Sequence, residues 1–191
     1  MQICLVRHGE TEWNNLGKLQ GREDIPLNKV GINQIKDTAN YLKDFYWDVI
    51  ITSPLLRARE SAEIIAKGII DIKIVEDDNF IERDYGKASG MTSEERKIHF
   101  PDGKWTGVEP SEQLRNRTVK ALLKYINEYK GKNIIIVSHG AAINSILAHF
   151  SKDEIGTGKT TLKNACMTLI EVIDNELKII FYNKKIEEMN S

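Results

Sequence analysis

Two short apolar runs, Ile3-Cys4-Leu5-Val6 and Asn133-Ile134-Ile135-Ile136-Val137, each lead within two residues into a histidine followed by a glycine. Runs of this length and composition read as buried strands. Strand-like and helix-like segments alternate along most of the chain, and that order selects an α/β fold with a mostly parallel sheet and helices on both faces. Ile32, Ile35, Ala39 and Leu42 fall at helical spacing. Asp48 to Ile51 reads as the second strand, punctuated by Thr52-Ser53-Pro54, and a helix follows from about Leu56 through Ala66. Ser53 or Pro54 suits its cap region and first turn. Ile72 to Val75 reads as a third strand, and a long helix is expected from about Ser111 to Tyr129. An apolar helix from Ala141 to Phe150 lies directly behind the second histidine-glycine pair. Cys166 to Ile173 and Leu177 to Tyr182 flank Asp174-Asn175-Glu176 and read as a hairpin. The charged tail after Asn183 is expected to fray.

The stretch from about Tyr85 to Pro110 is polar and rich in glycine, with one short helix near Glu94 to His99. It reads as a small cap insertion over the site of a three-layer α/β/α domain. No repeat or linker divides the chain, so residues 1–191 are expected to form one domain. The formal net charge is -1, which removes any bulk electrostatic case for nucleic acid or an anionic membrane. An anion site must therefore be a local cluster of arginines. Cys4 and Cys166 both lie in apolar runs and read as buried thiols in a reducing compartment. No apolar stretch approaches a membrane span, and no signal peptide precedes the first strand. The expectation is a cytoplasmic protein, monomer or homodimer.

The first strand delivers Arg7 and His8 to its carboxyl end, the edge where open α/β sheets bind ligands. Arginine grips phosphate through a planar fork of charge-assisted hydrogen bonds. Histidine can attack phosphorus through a ring nitrogen and is largely neutral near pH 7. Gly9, lacking a Cβ, lets the backbone approach a ligand closely. The second run delivers His139 and Gly140 to the same edge. Arg57 falls in the first turn of the helix after the second strand, where orphan N–H groups and a partial positive charge favour anions. Glu82 follows the third strand in Phe80-Ile81-Glu82-Arg83-Asp84-Tyr85-Gly86, and by itself is one of three charges in a loop.

Arg7-His8-Gly9-Glu10-Thr11 with Trp13-Asn14, Ser53-Pro54-Leu55-Leu56-Arg57-Ala58, Glu82 with Gly86, and Ser138-His139-Gly140 occur in one order. Together they resemble the signature of the histidine phosphatase superfamily, the phosphoglycerate mutase-like branch 1. The resemblance implies that His8 attacks phosphorus and forms a phosphohistidine. It implies that Arg7, Arg57 and His139 hold the equatorial oxygens and that Glu82 acts as the acid. Asn14, Gln20, Gly21 and Gly140 match positions that line the phosphate or substrate. Arg83 and Tyr85 match a mutase pattern in which both contact substrate, which would suit a second anionic group. No cofactor and no metal are implied, because arginines neutralise the phosphate. The partner would be a small phosphorylated metabolite, with no nucleic acid and no membrane involved.

Three functions share such a site: a phosphomonoesterase, a phosphoglycerate mutase-type isomerase, and a phospho-ligand-binding module without turnover. The segment from Glu82 to His139 is short beside that of the mutases, which favours the phosphatase. The family's Gly-Gly-Glu-Ser stretch is altered here to Gly107-Val108-Glu109-Pro110-Ser111. Gly156-Thr157-Gly158-Lys159-Thr160 resembles the end of a P-loop, but Asp153 stands where the first glycine is required. A mobile, solvated loop is the expectation there. His99 reads as a surface histidine, His149 as a helix-end cation, Trp13 and Trp105 as bordering the pocket, and Trp47 as core.

Overall fold

The computed structural model describes residues 1–174 and 176–189. Its six strands are β1 (Gln2–Arg7), β2 (Val49–Thr52), β3 (Lys73–Glu76), β4 (Ile134–Ser138), β5 (Met167–Ile173) and β6 (Glu176–Lys184). Its helices are α1 (Glu12–Asn15), α2 (Lys29–Leu42), α3 (Leu56–Ala66), α4 (Ser93–His99), α5 (Ser111–Glu128) and α6 (Gly140–Phe150). They form one sheet in the order β3-β2-β4-β1-β5-β6.

Successive side chains of a strand point to opposite faces. Ile3 and Leu5 of β1, Val49 and Ile51 of β2, and Ile134 and Ile136 of β4 accordingly pack with Leu122 of α5 and Ile143 and Ile146 of α6. Cys4 and Val6, Ile50, Ile135 and Val137 pack on the other side with Ile35 and Leu42 of α2 and Ala58, Ala62 and Ile65 of α3. The three layers follow from those alternating residues. Trp47 is core, with its indole N–H donating 2.9 Å to Leu42 O.

The sheet is mixed, which corrects the mostly parallel expectation in one respect. β1–β4, β2–β4 and β2–β3 pair in parallel, whereas β5 runs antiparallel to both β1 and β6. β5 and β6 follow one another in the chain and pair antiparallel, so one of them must oppose the rest. Asn175, between them, lies outside the described residues. The tail is more ordered than expected as far as Met189: Ile186 and Met189 pack against the α2 side of the core. Asn190 and Ser191 lie outside the described residues. Among those residues no helix is long and apolar enough to cross a membrane.

The excursion after Tyr85 pinches shut at its base. Gly86 has a φ of +53°, and a Cβ there would lie 2.1 Å from Thr106 O. Lys87 N–H donates to Thr106 O (3.0 Å) and Glu109 N–H to Asp84 O (2.9 Å), so the return limb lies along the outgoing one. Trp105 then packs edge-on against Tyr85 at 6.1 Å.

Candidate active site

β1 and β4 are neighbours at the centre of the sheet, in a register that pairs Val6 with Val137 and Arg7 with Ser138. Both histidines therefore leave the sheet at the same level. His8 N–H donates to Ser138 O (3.0 Å), which locks the two strand ends together. The segment before β5 closes the other side: Arg7 N–H donates to Cys166 O and Ala165 N–H to His8 O, each at 3.1 Å. Ala165 adopts a φ of +56° to do so, an uncommon backbone for a residue with a Cβ.

His8 is 2% exposed. Its Nδ1 lies 2.7 Å from Gly9 O, and because a carbonyl can only accept, Nδ1 carries the proton. Nε2 is left with its lone pair, which accepts from Arg57 Nε at 3.3 Å. Burial, and then the charges of Arg57 and Arg7, hold the His8 pKa well below 6.5, so the ring is neutral at physiological pH. His139 packs ring against ring on His8, with centroids 5.1 Å apart. Its Nε2 shares a 2.8 Å hydrogen bond with Ser53 Oγ, and its Nδ1 has no hydrogen-bond partner among the described residues.

Arg57 is buried and clamps the loop before α2, donating 2.8 Å to Gly21 O and 2.7 Å to Glu23 O. Burial lowers its pKa to about 10, opposed by Glu82 and Asp24. Asp24 was not singled out in the sequence. Its Oδ1 accepts from Leu56 N–H at 2.6 Å, and so caps α3, whose own N-cap residue Leu55 offers no side-chain bond. Arg7 Nη1 donates to Leu162 O, while Arg7 Nε is buried with no hydrogen-bond partner among the described residues.

Glu82 docks on the N-terminus of α6. Its two oxygens accept from Ala141 and Ala142 N–H, both at 3.1 Å, and Oε1 also accepts from Arg83 N–H at 2.9 Å. A carboxylate is favoured at such a helix start, where unpaired donors and the dipole converge. A Cβ on Gly140 would sit 3.7 Å from Arg7 Nε and 3.8 Å from Glu82 Oε2, so both groups flank that glycine.

A cavity of about 380 Å³ opens onto these groups. Arg7, His8, Arg57, Glu82 and Gly140 line it, as do Asn14, Gln20, Gly21, Arg83 and Tyr85. His139, expected to hold equatorial oxygens, is instead fully buried behind His8 and does not line it. Burial and the neighbouring Glu82 push the Tyr85 phenol well above its usual range. Arg83 Nε donates to Glu109 O at 2.8 Å.

Two further expectations are corrected. Gly9 does not line the cavity; a Cβ there would lie 2.5 Å from Gly31 O, so its bareness serves packing against α2. Residues 157–162 supply one wall, through Thr157, Gly158, Thr160, Thr161 and Leu162, and are tied in by Asn144 Nδ2 donating 2.8 Å to Thr160 O. That segment is thus part of the site, although nothing in it cradles a nucleotide. The excursion borders the site, with Tyr85 and Ser111 near its two ends lining the cavity. Trp13 and Trp105 border it from outside the wall, Trp13 beneath Lys18 and Trp105 edge-on against Tyr85.

Comparison with known proteins agrees with this geometry. The family model for the histidine phosphatase superfamily (branch 1) matches residues 3–185. The chain is 46% identical over 181 residues to an uncharacterized phosphatase PhoE of Bacillus subtilis, covering 95% of this chain and 93% of that one. It is 30% identical over 188 residues to a metal-independent phosphoserine phosphatase of Arabidopsis thaliana, covering 92% and 78%. A mutant phosphoserine phosphatase from Entamoeba histolytica, solved with phosphoserine, superposes with a TM-score of 0.83 at 29% identity, covering 96% of each chain. With its strand-end histidines, its buried arginines and a match over nearly its whole length, the chain belongs to branch 1 of the histidine phosphatase superfamily.

Proposed function

We propose that the protein hydrolyses a small phosphomonoester through a phosphohistidine at His8. The observation that carries this reading is the state of that ring: neutral, with Nδ1–H held by Gly9 O and the Nε2 lone pair turned to the arginines. A phosphoryl group entering between Arg7 and Arg57 takes Arg57 Nε as a donor, which frees Nε2 to attack phosphorus. Arg7 Nε and Arg57 stabilise the equatorial oxygens as charge spreads over them. Glu82, in its protonated form, gives its proton to the departing alkoxide. Glu82 then takes a proton from the water that attacks the phosphohistidine and releases phosphate. His139 acts from behind, packing ring against ring on His8 and so fixing its orientation. Asn14, Gln20, Gly21 and Gly140 shape the phosphate end.

Hydrolysis is favoured over transfer because the segment from Glu82 to His139 is short, which leaves little chain to close over the intermediate and exclude water. A mutase reading draws on one feature: Arg83 and Tyr85 both line the wall. In the phosphatase they serve instead to grip a second anionic group of the substrate. A carboxylate-bearing phosphomonoester fits that wall, and the Arabidopsis and Entamoeba relatives are phosphoserine phosphatases.

The test is phosphate release from phosphoserine, 3-phosphoglycerate and sugar phosphates in EDTA, with formation of 2-phosphoglycerate followed in parallel. Release that vanishes in His8→Ala supports the reading. Interconversion of phosphoglycerates without release overturns it.

A further inference from the structure

Glu109 and Arg117 lie outside the cavity wall, yet they form a part-buried ion pair whose arginine has a partner for every donor. Arg117, on α5, spends all five of its donors on five acceptors. Nε and Nη2 grip the two oxygens of Glu109 at 2.7 and 2.9 Å. Nη1 reaches Asn79 O (2.7 Å) and Ile81 O (2.9 Å), and Nη2 also reaches Glu82 O (3.1 Å). Three backbone carbonyls of the segment that ends at Glu82 are thus held by one planar fork. Lysine, with three donors on a point charge, cannot reproduce that pattern.

Glu109 extends the same frame to the next residues. Its backbone carbonyl accepts from Arg83 Nε (2.8 Å), its carboxylate from Asp84 N–H (3.3 Å), and Arg22 approaches it at 3.5 Å. Burial disfavours its charge, but the bonds to Arg117 and Asp84 and the charge of Arg22 outweigh that and keep its carboxyl below the usual range. The side chain of Glu82 is meanwhile anchored on the first N–H groups of α6. The two anchors share one platform, because Thr118 Oγ1 of α5 and Ser145 Oγ of α6 share a 2.8 Å hydrogen bond.

We infer that Glu109 and Arg117 are positioning residues that fix the Glu82 carboxyl against the leaving oxygen and aim Arg83 into the cavity. The inference rests on the reading of Glu82 as the acid. Placement of an acid matters in proportion to how badly the leaving group needs a proton. An alkoxide needs one; p-nitrophenolate does not. A device that acts through Glu82 must therefore be felt on alkyl substrates and hardly at all on that aryl one.

The experiment measures kcat/KM, which reports steps up to phosphoryl transfer to His8, on glycerol phosphate and on p-nitrophenyl phosphate. Arg117→Lys, Glu109→Gln and Glu82→Gln are compared, with the double variant Glu82→Gln/Arg117→Lys. Arg117→Lys is expected to lower the alkyl value about 10- to 100-fold and the aryl value less than about threefold. The double variant is expected to be no slower than Glu82→Gln alone. Glu109→Gln, which keeps the shape of the side chain, carries the same test if Arg117→Lys fails to fold. Equal losses on both substrates, or losses that multiply with Glu82→Gln, overturn the inference. If Glu82→Gln itself fails to discriminate between leaving groups, the acid assignment falls, and that outcome is read independently of the Arg117 and Glu109 variants.

Discussion

Acidification should destabilise this protein well before its carboxylates titrate, because two histidines are folded in neutral form. Burial is the first cause of the lowered pKa at both His8 and His139, followed by the charge of Arg57 and then by Arg7 at His8 and by the His8 ring at His139. In the unfolded chain each titrates near pH 6.5. Above that value both states hold the rings neutral and no stability depends on pH. Below it the unfolded chain takes up two protons that the native state refuses, so stability falls as pH falls, down to the native pKa values. Each refused proton is worth about 1.4 kcal/mol per pH unit, so the step from about pH 7.5 to about pH 5.5 removes about 3 kcal/mol in all. That is a large share of the stability of a domain of this size. Urea denaturation in phosphate-free buffer at both pH values measures it. The double variant His8→Gln/His139→Gln removes both proton sites and should show nearly the same midpoint at both. A wild-type midpoint unchanged between the two pH values would refute the reasoning, as would an equal fall in the double variant. Asp77 and Glu109 act in a separate window. Their pKa values are lowered on folding, so the stability they lend is present above about pH 4.5 and is lost as pH falls further.

Gly31→Ala should unfold more easily by roughly 1–3 kcal/mol in urea and lose kcat/KM, because its Cβ would lie 2.0 Å from Glu10 O, in the loop that follows His8. An unchanged midpoint would show that α2 can move away. Asp24→Ala should cost about 0.5–2 kcal/mol and raise KM more than it lowers kcat, since it uncaps the helix that carries Arg57; a stable variant with normal KM would contradict this. Burial pushes the thiols of Cys4 and Cys166 up to about 12 and about 11. Neither should react with a disulfide reagent in the native protein at mild alkaline pH, and both should react in urea. A fast native thiol would contradict their burial.

Much of the architecture is legible because burial writes itself into the chain as period. The helix from Leu56 to Ala66 begins and ends where the apolar spacing and the Ser53-Pro54 punctuation place it. β4 and α6 likewise follow from an apolar strand that breaks at a histidine-glycine pair. Arg7, His8, Arg57 and His139 are legible because each sits at a strand end or a helix start, where the chain itself aims it. Glu82 is different: three adjacent charges in a loop carry no period, and only a family pattern distinguishes one. Its anchor on α6 arises from residues 59 and 60 positions away. Asp24 capping Leu56, and Arg117 bonding to Glu82 O 35 positions away, are tertiary events of the same kind. The wall at residues 157–162 was obscured by its likeness to a nucleotide loop, which poses a question about the wrong ligand. Ile186 and Met189 did leave a trace, two apolar residues one helical turn apart in a charged tail.

The central claim is that phosphorus passes through His8. Rapid mixing with a reactive phosphomonoester, followed by an alkaline quench that preserves phosphohistidine, allows the modified residue to be located by mass spectrometry. The account predicts one added phosphoryl group on the peptide containing His8, lost on brief acid treatment and absent from His8→Ala together with turnover. Turnover that survives in His8→Ala, or a phosphoryl group found on another side chain, would contradict it.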